Sequence, residues 1–215
     1  MSEYAPLKVK VWSEYGLFTQ PEMKVERVSY PVMTPSAARG ILEAIFWKPE
    51  IEWRVREIHI LKPIQFHSVL RNEVTKVASE SIKGKLDSQF FADEMRTQRH
   101  SLILRNVAYV IVADVHLREH ATETVAKYRD MFRRRIEKGQ CFQRPYMGCR
   151  EFAAFFSPVA AQDIPMPINY NVGTMLFDMR YPKDPAAPAI PIFFDCQVNG
   201  GVAKVPQDLY QLGKG

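Results

Sequence analysis

The chain has 215 residues, enough to bury one substantial hydrophobic core. Hydrophobic residues make up 47% of it and charged residues 25%, which excludes a disordered or fibrous protein. No apolar stretch approaches the roughly 20 residues of a membrane helix, and the first residues lack the apolar core of a secretory signal. We therefore expect a cytoplasmic protein with no membrane contact.

Positive charge is concentrated in one segment of the chain. The formal net charge is +5, from 29 Lys and Arg against 24 Asp and Glu. Residues 96–150 alone hold 12 Lys and Arg against 5 Asp and Glu. Such a concentration is typical of proteins that bind nucleic acid.

The first 60 residues predict a strand, a helix and a second strand. Residues 7–12 alternate apolar and polar side chains with period two, which is typical of a strand with one buried face. Thr34 and Pro35 suit the N-cap and first position of a helix, and an apolar stripe follows them. Residues 51–60 alternate again, and a shift of phase at residues 57–58 predicts a β-bulge.

The middle of the chain predicts an insertion, a central strand and a basic helix. Residues 62–100 are polar and poorly periodic, so we expect an insertion of short strand or helix fragments. Residues 107–113 form a continuous apolar run, suited to a strand covered on both faces. Residues 122–138 predict a helix, with Thr122 as its N-cap and Gly139 as its stop.

The predicted elements together indicate a fold class. A fourth strand, edge-like because of its proline, is expected at residues 141–146. The resulting order is that of the ferredoxin-like βαββαβ fold, which RNA-recognition modules share. Short antiparallel strands are then predicted at residues 151–156, 173–181 and 190–198, with a hairpin turn at residues 199–201. We expect an α+β protein: a ferredoxin-like RNA-binding domain at residues 1–148 and a small C-terminal antiparallel β subdomain at residues 149–215.

The helix predicted at residues 122–138 has an apolar face and a basic face. At about 100° per residue, its apolar residues share one side and its cations cluster on the other. These cations are Lys127, Arg133, Arg134, Arg135 and Lys138. An RNA backbone lying across the helix would meet four or five of them. The alternative is a solvated surface on which Asp130 and Glu137 pair with the cations.

Three residues on or near this helix are candidates for acid–base catalysis. Lys127 and Tyr128 are adjacent, and the neighbouring arginines disfavour the charged form of the lysine. His120, just before the helix, is a candidate proton donor. In the alternative interpretation, Tyr128 faces the core and Lys127 only binds phosphate.

Other chemistries lack support in the sequence. His116 and His120 are four residues apart, but they span a strand end and a loop, so they are not a helical metal pair. The three cysteines have no CxxC spacing, and the sequence has no GxxxxGK[ST], GxGxxG or GxSxG motif. We expect neither a metal site nor a cofactor.

An aromatic residue beside a cation follows the first predicted helix. Trp47 can stack on a base while Lys48 binds the phosphate of the same nucleotide, so this pair is a candidate RNA contact.

Six short motifs, spread over most of the chain, resemble those of a known family. They are LFT at 17–19, SYP at 29–31, IFWKP at 45–49, KPIQ at 62–65, MGCREF at 147–152 and GTM at 173–175. In this order they resemble the Cas-five CRISPR-associated family, in its subtype I-C (d) branch, within the RAMP superfamily of ferredoxin-like RNA-binding proteins.

The resemblance implies a metal-independent endoribonuclease. Such an enzyme cuts precursor CRISPR RNA at the base of the repeat hairpin and keeps the 5′ handle in a type I-C interference complex, whose other subunits are then partners. The 2′-hydroxyl of the RNA attacks the phosphorus and gives a cyclic phosphate, so the protein supplies positioning and proton transfer.

The sequence departs from the family pattern at two places. The pattern has a tyrosine before the Trp-Lys-Pro motif, where this chain has Phe46, and a Lys-His pair that aligns best with Ala126 and Lys127. Phe46 stays a candidate RNA contact. Three hypotheses remain open: Tyr128 or His120 replaces the missing groups, the protein cuts slowly, or it is a non-catalytic scaffold that binds the handle. General nucleic-acid binding, duplex DNA included, is a further hypothesis because phosphate contacts carry no sequence information.

Overall fold

The structure, a computed structural model, describes residues 4–23, 25–74, 96–182, 184 and 187–212. Across these residues the protein is mostly β-sheet: nine strands form one sheet, curled as a half-barrel, with few helices. None of the helices in the described ranges has the length and apolar character needed to cross a membrane.

The first four elements include the predicted strand, helix and second strand, together with one two-residue strand that was not predicted. They are β1 (Leu7–Gly16), β2 (Arg27–Val28), α1 (Pro35–Ile45) and β3 (Ile51–Ile60). The side chain of Thr34 accepts a hydrogen bond from the backbone N–H of Ala37 at 3.3 Å, so Thr34 is the predicted N-cap of α1. The pairing of β3 shifts register between Val55 and Glu57, which confirms the predicted bulge.

A long central strand organises the sheet. The next elements are β4 (Phe66–Val74) and β5 (Arg96–Leu117). β5 pairs antiparallel with β1 on one side and with β3 on the other, and residues 107–115 are buried, so the predicted central strand is confirmed. The first part of β5 forms an antiparallel hairpin with β4, where the sequence predicted only short fragments. Residues 75–95 of that predicted insertion lie outside the described residues.

The C-terminal strands continue the same sheet. The remaining elements are α2 (Val125–Glu137), β6 (Phe155–Ser157), β7 (Tyr170–Arg180), β8 (Ile190–Asn199), β9 (Val202–Lys204) and α3 (Leu209–Leu212). The main path of the sheet runs β6-β1-β5-β3-β9-β8-β7. The predicted hairpin turn is confirmed, with positive φ at Gly200 and Gly201. The division into domains at residue 148 stays a prediction.

The strand predicted at residues 141–146 is wrong. The backbone N–H of Phe142 donates to the carbonyls of Ala44 at 2.9 Å and Ile45 at 3.2 Å, and that of Gln143 donates to Ala44 at 3.0 Å. These carbonyls end α1 and have no acceptor role inside the helix. The segment therefore caps α1, and β6 pairs with β1 instead.

The basic helix begins two residues later than predicted. Thr124, not Thr122, is the N-cap, and its side chain accepts a hydrogen bond from the backbone N–H of Lys127 at 3.5 Å. Lys138 is the C-cap, and Gly139 follows with φ of +63°, as expected for a helix stop. The apolar face is buried through Tyr128, Phe132 and Ile136.

Gly148 lies where no side chain fits. Its φ is +81°, and an added Cβ would lie 2.0 Å from the carbonyl oxygen of Leu17. We expect Gly148→Ala to lower the free energy of unfolding by about 3 kcal/mol, measured by urea denaturation. Gly40→Ala is the control: it sits in α1 with open space around it, so it should raise that free energy by about 0.5 to 1 kcal/mol. Equal unfolding midpoints for the two variants would contradict this account.

Candidate nucleic-acid interface

Arg135 attaches α2 to the end of α1. Its Nη1 donates a hydrogen bond to the carbonyl of Ile45 at 2.8 Å, and its guanidinium lies 5.2 Å from the centre of the Phe46 ring. The side chain is partly buried by these contacts. Arg135 was predicted to bind RNA, but part of its hydrogen-bonding capacity is used within the fold.

The other cations of α2 divide into paired and unpaired residues. Lys127 forms an ion pair with Glu123, and Arg133 pairs with Asp130 at 3.2 Å. Arg134 and Lys138 are exposed and have no ion pair with any described residue. The predicted cationic face is therefore present, and these two residues are its most available members.

Tyr128 faces the core, as in the alternative interpretation of the sequence. It is 4% exposed, and its ring packs against Phe46 with 6.5 Å between centroids. Burial raises the pKa of the Tyr128 phenol, the carboxylates of Glu50 and Glu123 raise it further, and Lys127 opposes them. At neutral pH the phenol keeps its proton and can act as a proton donor.

Glu50 links the predicted catalytic residues, although the sequence did not single it out. The backbone N–H of Arg118 donates to the Glu50 carbonyl at 2.9 Å, which holds the turn carrying His120 near the start of β3. Oε2 of Glu50 is buried and has no hydrogen-bond partner among the described residues. The backbone of Glu50 thus contacts the turn that carries His120, and its carboxylate is near enough to Tyr128 to raise the pKa of the phenol. A single carboxylate after a proline forms no motif, so the sequence offered no signal for it.

A groove of about 900 Å³ opens beside His120. It runs between α1, β3 and β7. Within it, Arg39 donates to both carboxylate oxygens of Asp178 at 2.9 Å and to Glu43 at 2.9 Å. Arg39 is thus neutralised, and Asp and Glu outnumber Arg in the lining of the groove, which makes it less suited to a phosphate backbone than the exposed face of α2.

The three remaining candidate RNA contacts, which follow α1 directly, differ in how exposed they are. Trp47 is 49% exposed and stacks against Phe142, while Lys48 is partly exposed and has no ion pair with a described residue. Phe46 is fully buried, so its prediction as an RNA contact is wrong: its ring instead supports Arg135 and Tyr128. Phe142 was not predicted as an RNA contact because it fell in a predicted strand. The sequence feature that could have indicated it is an aromatic residue inside the Lys- and Arg-rich segment.

Comparison with known sequences places the chain in a family. The sequence model of the family described as CRISPR-associated protein (Cas_Cas5), in its Cas5d form, matches residues 6–201. The chain belongs to the Cas5d family. The resemblance carried by the six motifs is thereby confirmed.

Two Cas5d relatives match over nearly their full lengths. The CRISPR pre-crRNA endoribonuclease Cas5d of Thermus thermophilus is 45% identical, with 98% of this chain and 97% of the relative covered. The protein of the same name from Mannheimia succiniciproducens is 42% identical, with 93% and 94% covered.

Solved structures share the fold of this Cas5d chain. A functionally uncharacterized protein from Streptococcus mutans has a TM-score of 0.67 at 18% identity, covering 94% of this chain and 93% of its own. A crystal structure of a CRISPR-associated protein also has a TM-score of 0.67, at 21% identity, covering 94% and 91%. At these identities the likeness concerns the fold alone.

Arg134 and Arg135 are expected to differ in their effect on stability. Arg135→Ala removes a hydrogen bond to the Ile45 carbonyl and should lower the free energy of unfolding by about 1 to 2 kcal/mol. Arg134→Ala removes an exposed side chain and should change it by less than about 0.5 kcal/mol. Urea denaturation of both variants measures the difference. An unchanged Arg135→Ala protein would show that its contact with α1 does not stabilise the fold.

Proposed function

We propose that this protein is a metal-independent endoribonuclease that cuts precursor CRISPR RNA at the base of the repeat hairpin and keeps the 5′ handle in a type I-C interference complex. The observation that carries the proposal is an exposed cationic face on α2 in a chain 45% identical to a relative named as a pre-crRNA endoribonuclease. The other subunits of that complex are then its protein partners.

The proposal includes a ferredoxin-like unit made of β1, α1, β3, β5, α2 and β6, which extends past the predicted boundary at residue 148 to Ser157. Two features support this assignment. The strands run in the order β6-β1-β5-β3 with every neighbour antiparallel. Each helix connects two strands that are separated by one other strand, as in a split βαβ arrangement.

RNA binding is assigned to the surface that joins the ends of α2 and α1. Arg134 and Lys138 bind phosphates, with Arg133 and the outer part of Arg135 at the sides. Trp47 and Lys48 extend this surface past α1. The exposure of these cations supports the assignment, since each phosphate contact on such a surface releases counterions and adds salt-dependent affinity.

Catalysis is assigned to the end of the sheet near Glu50. Tyr128, whose pKa is raised, is the general acid that protonates the leaving 5′ oxygen. Its ring lies beside Phe46, so α2 supplies a phenol next to the position where the family pattern has a tyrosine. Lys127 stabilises the charge of the phosphorane, and His120 is the second proton-transfer group.

The reaction follows from these roles. The 2′-hydroxyl loses its proton and its oxygen bonds to the adjacent phosphorus, while the bond from phosphorus to the 5′ oxygen breaks. That oxygen takes up a proton, which leaves a 2′,3′-cyclic phosphate on one product and a 5′-hydroxyl on the other.

A non-catalytic scaffold that binds the handle is the second candidate. Two observations favour it: Tyr128 is buried, and Lys127 is held by Glu123. Both groups must become accessible to RNA for cleavage but not for binding.

Cleavage of the cognate repeat RNA distinguishes the two candidates. Protein in excess over the repeat hairpin, in EDTA, should give one cut below the stem with a cyclic phosphate end. Tyr128→Phe keeps the ring and removes the hydroxyl, and Lys127→Ala removes the cation, so each should slow cleavage about 100-fold at saturating protein. Tyr170→Phe and Lys8→Ala are matched controls on exposed positions of β7 and β1 and should cut normally. If the wild-type protein does not cut the RNA, the enzyme assignment is wrong and the scaffold function remains of the two candidates.

Salt dependence separates specific RNA binding from general binding to nucleic acid. We expect the repeat RNA to bind more tightly than a random DNA duplex at every salt concentration in a competition assay. Arg134→Ala should reduce the slope of log Kd against log salt by about 0.7 to 0.9, the contribution of one phosphate contact. Equal affinities and slopes for the RNA and the duplex would favour general nucleic-acid binding.

A further inference from the structure

Two exposed aromatic rings from distant parts of the chain stack on each other. Trp47 is 49% exposed and Phe142 is 61% exposed, and their ring centroids are 6.0 Å apart with 29° between the planes. One follows α1 and the other follows α2. Two adjacent exposed rings form a contiguous apolar patch, and such patches indicate binding surfaces, whereas single exposed apolar residues do not.

The backbone that carries each ring is held in place by hydrogen bonds or by a buried neighbour. The N–H of Phe142 is bonded to the last carbonyls of α1, as described above. Trp47 follows Phe46, which is fully buried and whose N–H donates to the Leu42 carbonyl at 2.8 Å. Because the backbone on both sides is already ordered, a ligand that binds the rings loses little additional conformational entropy in the protein.

The surroundings of the pair are cationic. Lys48, Lys138 and Arg144 lie within four residues of one ring or the other along the chain, and none has an ion pair with a described residue. Of the two carboxylates at the same spacing, Glu43 is paired with Arg39, and Oε2 of Glu50 is buried. Residues 138–150 contain no Asp or Glu. Arg135 donates to the same Ile45 carbonyl that accepts from Phe142, so its guanidinium is close by as well.

A second aromatic pair, of which Phe155 is exposed and Trp12 is partly buried, shows why the charge matters. Trp12 and Phe155 also stack, at 6.0 Å and 24°. The cation over the Trp12 ring is Lys10, at 5.7 Å from its centre, and its Nζ is paired with Asp163 at 2.5 Å. The other charged residues within four positions of Trp12 are Lys8 and Glu14, which are both exposed and opposite in sign. The two pairs have similar ring geometry. Of the two, the pair of Trp47 and Phe142 has the charge surroundings that favour a polyanion.

We infer that Trp47 and Phe142 form a stacking platform for one unpaired nucleobase of the bound RNA, an inference that rests on the proposed function. Because the two rings already stack on each other, with 6.0 Å between their centroids, a base does not fit between them. The base stacks on the outer face of the pair. Its phosphate reaches the unpaired cations, and a base inside a duplex, already stacked on both sides, is not a ligand.

Binding of repeat RNA with a single 2-aminopurine at each unpaired position in turn tests the platform. One position should lose fluorescence on binding wild-type protein, and this loss should disappear with Phe142→Ala. Trp47→Ala and Phe142→Ala should each raise Kd about tenfold, as expected for one stacked base, with the salt slope unchanged because no phosphate contact is lost. Phe142→Tyr keeps a stacking ring and should bind like wild type.

Controls separate stacking from a structural effect. Phe155→Ala removes the exposed ring of the pair with Trp12 and should leave Kd within about twofold. An RNA with an abasic site at the quenched position should bind wild-type protein about tenfold more weakly, with no further loss for Phe142→Ala. If Phe142→Ala weakens the binding of the abasic RNA by a further factor of about ten, the platform is wrong.

The outcomes also separate this inference from the proposed function. If wild-type protein binds and cuts the repeat RNA while Trp47→Ala and Phe142→Ala keep its Kd, the platform is wrong and the enzyme assignment stands. In that case the pair is available for contact with another subunit. If wild-type protein shows no preference for the repeat RNA over a duplex, the platform and the proposed function are both overturned.

Discussion

The last turn of α1 is the constraint on which the candidate interface depends. Its carbonyls have no acceptor role inside the helix, and a buried carbonyl without a partner is costly. Three different elements supply the donors: Arg135 from α2, Phe142 from the loop after α2, and the indole of Trp53, which donates to the Phe46 carbonyl at 3.0 Å from β3. These bonds attach α2 and the loop after it to the end of α1.

The same junction separates the residues proposed to bind RNA from the proposed general acid. Because α2 turns Tyr128 toward Phe46, its phenol is shielded from water and keeps its proton. Arg134 and Lys138 are left on the outer side, where they remain free of ion pairs with described residues. One helix thus carries a protonated phenol on its inner face and available cations on its outer face, so the proposed general acid and the proposed RNA-binding cations lie on different sides of α2.

Local patterns predicted several elements because the chemistry that decides them is local. The alternation in β1 and β3, the Thr34 N-cap and the helix stop at Gly139 depend on neighbours within a few residues, and all are present. The segment at residues 141–146 could not be predicted in this way. Its N–H groups were free to join a strand or to cap α1, and only the position of α1 in space decides between them.

The sequence by itself determined the central strand, the basic face of α2 and the family, since these rest on composition, periodicity and motif order. Tertiary structure decided which of the candidate residues are accessible. Phe46 and Trp47 are neighbours in the chain, yet one is fully buried and the other is half exposed. Contacts between residues far apart in sequence set that difference: α2 covers Phe46, and the loop after α2 places Phe142 beside Trp47 without covering it.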